Sequence, residues 1–141
     1  MAVYKFLEAD RTALAAQLAT LWDTATAAGP CTLQFYDGVQ PAGGPATAVT
    51  TQVSLGTLTC SDPIGSAAAG VLTFGAVTQD NAADATGTAT WARLLDADGV
   101  ARADFDVTNT AGTGAIKLNT VNIVAGGPIA MNSLTITMGG A

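Results

Sequence analysis

Histidine is absent from this chain. That removes the commonest general base, the commonest metal ligand and every Ser-His or Cys-His nucleophile pair. Ser54, Ser61, Ser66 and Ser133 therefore have no imidazole to activate them. Charge is also scarce: 11% of residues are charged, against roughly 25% in an average soluble domain. A surface so poor in charge favours association with other protein. Five Lys and Arg stand against eleven Asp and Glu, for a net charge of -6. Such a chain can neutralise few phosphates, so no nucleic-acid partner is expected.

Two cysteines, Cys31 and Cys60, are too few for the disulfide-dense framework of small secreted domains. They read as small buried thiols near strand ends, with a disulfide between them as the alternative. A long unbroken apolar run is missing as well. Leu118 to Ala141 carries no charge, but two Gly-Gly pairs, Pro128 and three Asn interrupt it. A spanning helix needs about 20 mainly apolar residues, so no membrane partner is expected. The N-terminal MAVYKFLEADR places acids where a secretory signal would need an apolar core, which predicts synthesis in the cytoplasm.

What remains is a chain of 141 residues rich in Ala, Gly, Thr and Val, a length that suits one domain. The pattern divides it into an arm over 1–9, a helix over 10–29 and a β domain over 31–141. In the helix, Leu14, Leu18, Leu21 and Ala25 recur at helical spacing beside Trp22, which predicts an inward Leu stripe. Asp10 is suited to cap its start, and Gly29-Pro30 to end it.

Beyond Pro30 the chain reads as strands and turns. Gly56 breaks the phase of VTTQVSLGTLTC and predicts a bulge. The phase of AIKLNTVNIV shifts at Asn119-Thr120, as a bulge or as two short strands. Leu134, Ile136 and Met138 share one face of a terminal strand. The expected fold is mainly β: an antiparallel sandwich or jelly roll of about eight strands with one N-terminal α-helix.

The densest charge lies in TATWARLLDADGVARADFDV. Asp96-Ala97-Asp98-Gly99 lacks the later ligands and the Glu of a calcium loop, because strand follows it. Asp-Gly instead suits a hairpin turn. Asp104 and Asp106 alternate with Phe105 and read, with Arg102, as a solvated outer face. Trp91 shares a face with Leu95 and reads as a core residue. Neither a catalytic residue nor a metal ligand nor a cofactor-binding residue is assigned, and the chain is expected to be no enzyme. The apolar VYKFL segment ahead of the helix reads either as a strand or arm packed on its own domain or as an arm reaching a partner, which offers Val3, Tyr4, Phe6 and Leu7 as candidate contacts to another subunit or partner.

The order of motifs resembles a family of small virion proteins of tailed bacteriophages. The matching residues are Gly38, Gln40 and Pro41, the run Ala85 to Ala89, then Trp91, Arg93, Asp98 and Gly99. The resemblance covers about Ala13 to Met138 and is strongest to capsid cement, or decoration, proteins with a jelly-roll fold. It implies a non-enzymatic structural protein on the outer capsid surface that bridges and stabilises capsomers. It implies the major capsid protein as partner, and self-association as a homodimer or trimer. The alternative is a tail, fibre or head-spike β module that binds a host surface or another virion protein.

Overall fold

Alternation becomes sheet from Thr32 onward, behind one helix. The computed structural model describes residues Val3 to Gly140; Met1, Ala2 and Ala141, which fall in the arm and domain ranges above, lie outside the described residues. The elements are α1 (Glu8–Asp23), β1 (Thr32–Asp37), β2 (Val53–Thr59), β3 (Gly65–Ala68), β4 (Val71–Phe74), β5 (Gly87–Thr88), β6 (Trp91–Leu95), β7 (Ala101–Asn109), β8 (Ile116–Leu118), β9 (Asn122–Ile123) and β10 (Met131–Thr137). Eight strands form one curled sheet in the order β2-β1-β6-β7-β8-β10-β4-β3, and β5 and β9 pair separately. The fold is mainly β and sandwich-like. One continuous core takes Leu33, Phe35, Leu55 and Leu94 from one half of the sheet and Leu72, Ile116, Leu118 and Leu134 from the other. Thr78 bridges to Thr59, and Asp80 bridges to Ile129 just ahead of β10. This segment therefore ties the free edge of β2 to the opposite half.

The sheet is mixed rather than wholly antiparallel, because β7 and β8 run parallel, with Val107 opposite Ile116 and Asn109 opposite Leu118. Parallel neighbours ordinarily need a long crossover. Here a short one suffices because the chain wraps tightly over Thr108. The Gly114 amide donates to the Thr108 hydroxyl at 3.0 Å, and the Ala115 amide donates to Asp106 at 2.9 Å. A Cβ on Gly112 would lie 2.5 Å from the Thr108 side chain, and one on Gly114 would lie 2.9 Å from it. Glycine is therefore what makes the tight wrap sterically feasible. The other local expectations hold. Phe35 pairs with Gly56 and Tyr36 with Ser54, which leaves Leu55 as the extra residue of a bulge. The segment around Asn119-Thr120 divides into the two short strands β8 and β9.

The helix departs from its expected limits and its expected face. It starts at Glu8, with Leu7 rather than Asp10 at the cap position, and ends at Asp23 rather than near Gly29. Asp10 instead lies in the first turn, where an acid suits the unpaired amides. After Asp23, the amides of Thr26 and Ala27 turn away to the Asp98 carboxylate, each at 2.7 Å. The helix packs on β3 and β4 through Ala15, Ala19 and Trp22, while Leu14 and Leu21 face outward and Leu18 is half-buried. Its apolar residues are spread around the axis, so periodicity leaves the buried face undecided. Small Ala15 and Ala19 let the backbone approach the β3–β4 hairpin. Trp22 then reaches Phe74 of β4 at 6.1 Å and Phe105 of β7 at 6.4 Å between ring centroids.

Trp22→Ala should cost about 3–5 kcal/mol, read by urea unfolding. Leu14→Ala, on the outward face, should stay within about 0.5 kcal/mol of the parent. Equal losses in the two variants would refute the assigned buried face.

Candidate interaction surface

The solvated-face expectation holds for Arg102 and Asp106, which are exposed, and fails for Asp104, whose side chain is buried; in the β6–β7 turn, Asp96 is buried and Asp98 is exposed. The Asp96 side chain is fully buried; it accepts the amides of Asp98 and Val100 at 3.0 and 2.9 Å and the Arg102 guanidinium at 2.6 Å. Burial alone would oppose ionisation of Asp96. The Val100 amide, the Arg102 guanidinium and the Asp98 amide outweigh it and hold the carboxyl below its ordinary value of 3.8. Asp104 pairs with Arg93 through two bonds, Nε to Oδ1 at 2.7 Å and Nη2 to Oδ2 at 2.8 Å.

Register explains that ion pair, because Arg93 and Asp104 sit directly opposite on β6 and β7. The outer face is dry at Arg93 and Asp104 because the loop after β1 crosses it there. Arg93 also donates to the carbonyls of Thr47 at 2.8 Å and Gly44 at 3.1 Å. Its guanidinium lies 5.4 Å from the Trp91 ring centroid, and Trp91 stacks on Tyr36 at 4.5 Å. Trp91 is buried, as expected of a core residue, but on the face opposite the main core. The described residues enclose no cavity and contain no cluster of three or more His, Cys, Asp or Glu placed to hold a metal ion.

The apolar surface lies elsewhere. Val3, Tyr4, Phe6 and Leu7 are exposed by 81%, 67%, 50% and 68%. They form a fixed arm: the Phe6 amide donates to the Gly140 carbonyl at 2.8 Å, and the Tyr4 and Phe6 rings pack at 5.5 Å. Gly140 has φ 83° and the Phe6 ring lies where its Cβ would be, so glycine is needed at this contact. Leu14 and Leu21, exposed by 55% and 53%, extend the patch along the helix. Leu7, Leu14 and Leu21 recur every seven residues, so they drift only about 20° per repeat and make one ridge. That spacing is visible in the sequence, but the same leucines also satisfy an inward stripe. Among the described residues, six of the ten exposed large hydrophobic side chains belong to the arm and this ridge; Val39, Val53, Val100 and Val124 are the others. A concentration of this kind marks a contact surface more than a scatter of single residues would. No helix among the described residues is long and apolar enough to cross a membrane.

No protein-family model, no curated protein and no solved structure matches the chain.

Asp96→Asn should lower stability at neutral pH by about 1–3 kcal/mol, because it weakens a buried charge-assisted network. The depressed folded pKa sets the sign with pH. The contribution is complete above the unfolded value near 3.8 and is lost as pH falls through the lower folded value. Melting of the parent should therefore fall in acid more steeply than melting of the variant. Parallel acid profiles would remove Asp96 from that role. Asp104→Ala should cost about 3–5 kcal/mol, since it leaves the Arg93 charge buried and unpaired.

Proposed function

We propose that this chain is a non-enzymatic structural virion protein, a cement on the outside of a tailed-phage head that bridges capsomers of the major capsid protein. The carrying observation is the apolar arm and ridge, Val3 to Leu7 with Leu14 and Leu21, fixed on a charge-poor β domain. The motif order described above supplies the family. The surface supplies a physical means.

Packed DNA pushes a shell outward. A protein attached to two capsomers raises the cost of separating them, because its own contacts must break too. Binding to the assembled lattice, and not to free subunits, draws the equilibrium toward the shell by mass action. Many copies act together, so each contact can be weak. Low surface charge suits such a contact because few ions lose water when it closes. Self-association as a homodimer would give one particle two such surfaces.

The test is co-sedimentation of the purified chain with cognate shells that lack it. The expected result is saturable binding at a fixed ratio to capsid subunits, with shells that resist heat better. Leu14→Glu with Leu21→Glu should keep the parent melting temperature within a few degrees and lose shell binding at least tenfold. A folded parent that fails to bind shells would overturn the reading and favour a tail, fibre or spike module.

A further inference from the structure

The two cysteines stand apart from the contact surface. Cys31 directly precedes β1 and Cys60 directly follows β2. The β1–β2 register sets Thr32 opposite Thr59, which brings Cys31 opposite Cys60. The Cys60 amide donates to the Cys31 carbonyl at 2.9 Å, so the pairing extends to these residues. Directly opposed residues of an antiparallel pair share a face and hold their Cα atoms about 4.5–5.5 Å apart. A disulfide needs about 4.4–6.8 Å. Both side chains lie on the core side, 1% and 4% exposed, and both thiols are free.

We propose that Cys31 and Cys60 form an oxidisable pair that closes as a cross-strand disulfide and locks the open end of the β1–β2 hairpin. The location suits a lock. β2 ends the sheet, and the residues before Cys31, Gly29 and Pro30, are exposed. Fraying at this corner would uncover both thiols together. In the closed fold the reduced form is protected. Burial, helped by Asp23, pushes the Cys31 thiol up to about 11; burial, then Cys31 and Asp23, pushes the Cys60 thiol up to about 12. The Cys31 thiol also donates to the Trp22 carbonyl at 3.3 Å.

The chemistry is thiol–disulfide exchange with a small-molecule disulfide such as oxidised glutathione. Cys31 loses its proton to solvent, and its thiolate attacks one sulfur of the reagent. The reagent's S–S bond breaks, one thiolate leaves, and a mixed disulfide remains on Cys31. The Cys60 thiolate then attacks the Cys31 sulfur, forms the internal bond and expels the second thiolate. The two cysteines give up two protons and two electrons, and the reagent leaves as two thiols. Cytosolic glutathione keeps thiols reduced, so the bond would close after the chain leaves the cell. That timing rests on the proposed place on a virion; the pairing itself does not.

The full chain is refolded from denaturant in oxidised glutathione, where burial no longer shields the thiols. Intact mass, free-thiol count and melting are then read with and without dithiothreitol. The expected product has lost two hydrogens, carries no glutathione and melts roughly 5–10 °C higher than the reduced chain. Cys31→Ser and Cys60→Ser should show neither change. Free thiols or glutathione adducts in the refolded parent would overturn the proposal. So would a cross-linked chain that melts lower than the reduced one. No shells enter this experiment, so its outcome is separate from that of the binding assay.

Discussion

Trp22 is where the helix meets both halves of the sheet. Its ring sits between Phe74 of β4 and Phe105 of β7, and those two rings also meet edge to face at 6.4 Å. β4 lies near one end of the strand order and β7 near its middle, so this junction holds the curl of the sheet closed. It also sets the helix rotation. With Trp22, Ala19 and Ala15 turned inward, Leu14 and Leu21 can only point away. The outward leucine ridge follows from the inward fit of one large ring beside two small methyl groups, a consequence of interiors packing at crystal-like density.

The scarce charges fasten backbone segments to one another. Asp23 takes the Ile64 amide through both oxygens at 3.1 and 3.0 Å, and Asp98 takes the two amides beyond the helix. Asp80 accepts from Thr57 at 3.1 Å and from Ala82 at 2.9 Å. Most of these backbone donors lie outside regular structure, and Thr57 lies in β2 at the end of the sheet, so none has a ladder partner on that side. Asp104 and Arg93 neutralise one another beneath the loop that includes Gly44 and Thr47. Asp96 and Asp104 add almost no side-chain surface, and the arm and ridge carry most of the exposed large apolar side chains among the described residues. The sequence's low charge and the exposed patch are thus two views of one distribution.

A contact surface built from a fixed arm has an energetic advantage over a loose one. Ordering a free segment on binding costs conformational entropy in each copy. The Phe6 amide bond to Gly140 and the ring packed on that glycine hold this arm at Phe6. More of any binding free energy then appears as affinity. A lattice of such contacts depends on many small contributions, so pre-ordering is repeated across every copy.

The sequence by itself determined the class of fold and the limits on chemistry. Alternation in β7 and β10, the bulge beside Gly56 and the break at Asn119-Thr120 are local steric facts, and the strands obey them. The arm was legible as an apolar run ahead of the helix with no patterned partner, but not whether it packs on its own domain or stands exposed. Tertiary structure decided the rest. Asp104 looked solvated because alternation tells which face a residue takes, not what covers that face. Arg93 finds Thr47 and Gly44 from 46 and 49 residues away, and Asp98 finds Thr26 and Ala27 from 72 and 71. The parallel β7–β8 pair depends on a loop folding over one threonine. The helix carried two apolar stripes, and only its neighbours could choose between them. Periodicity encodes geometry along a chain, while burial is a property of what the chain meets in space.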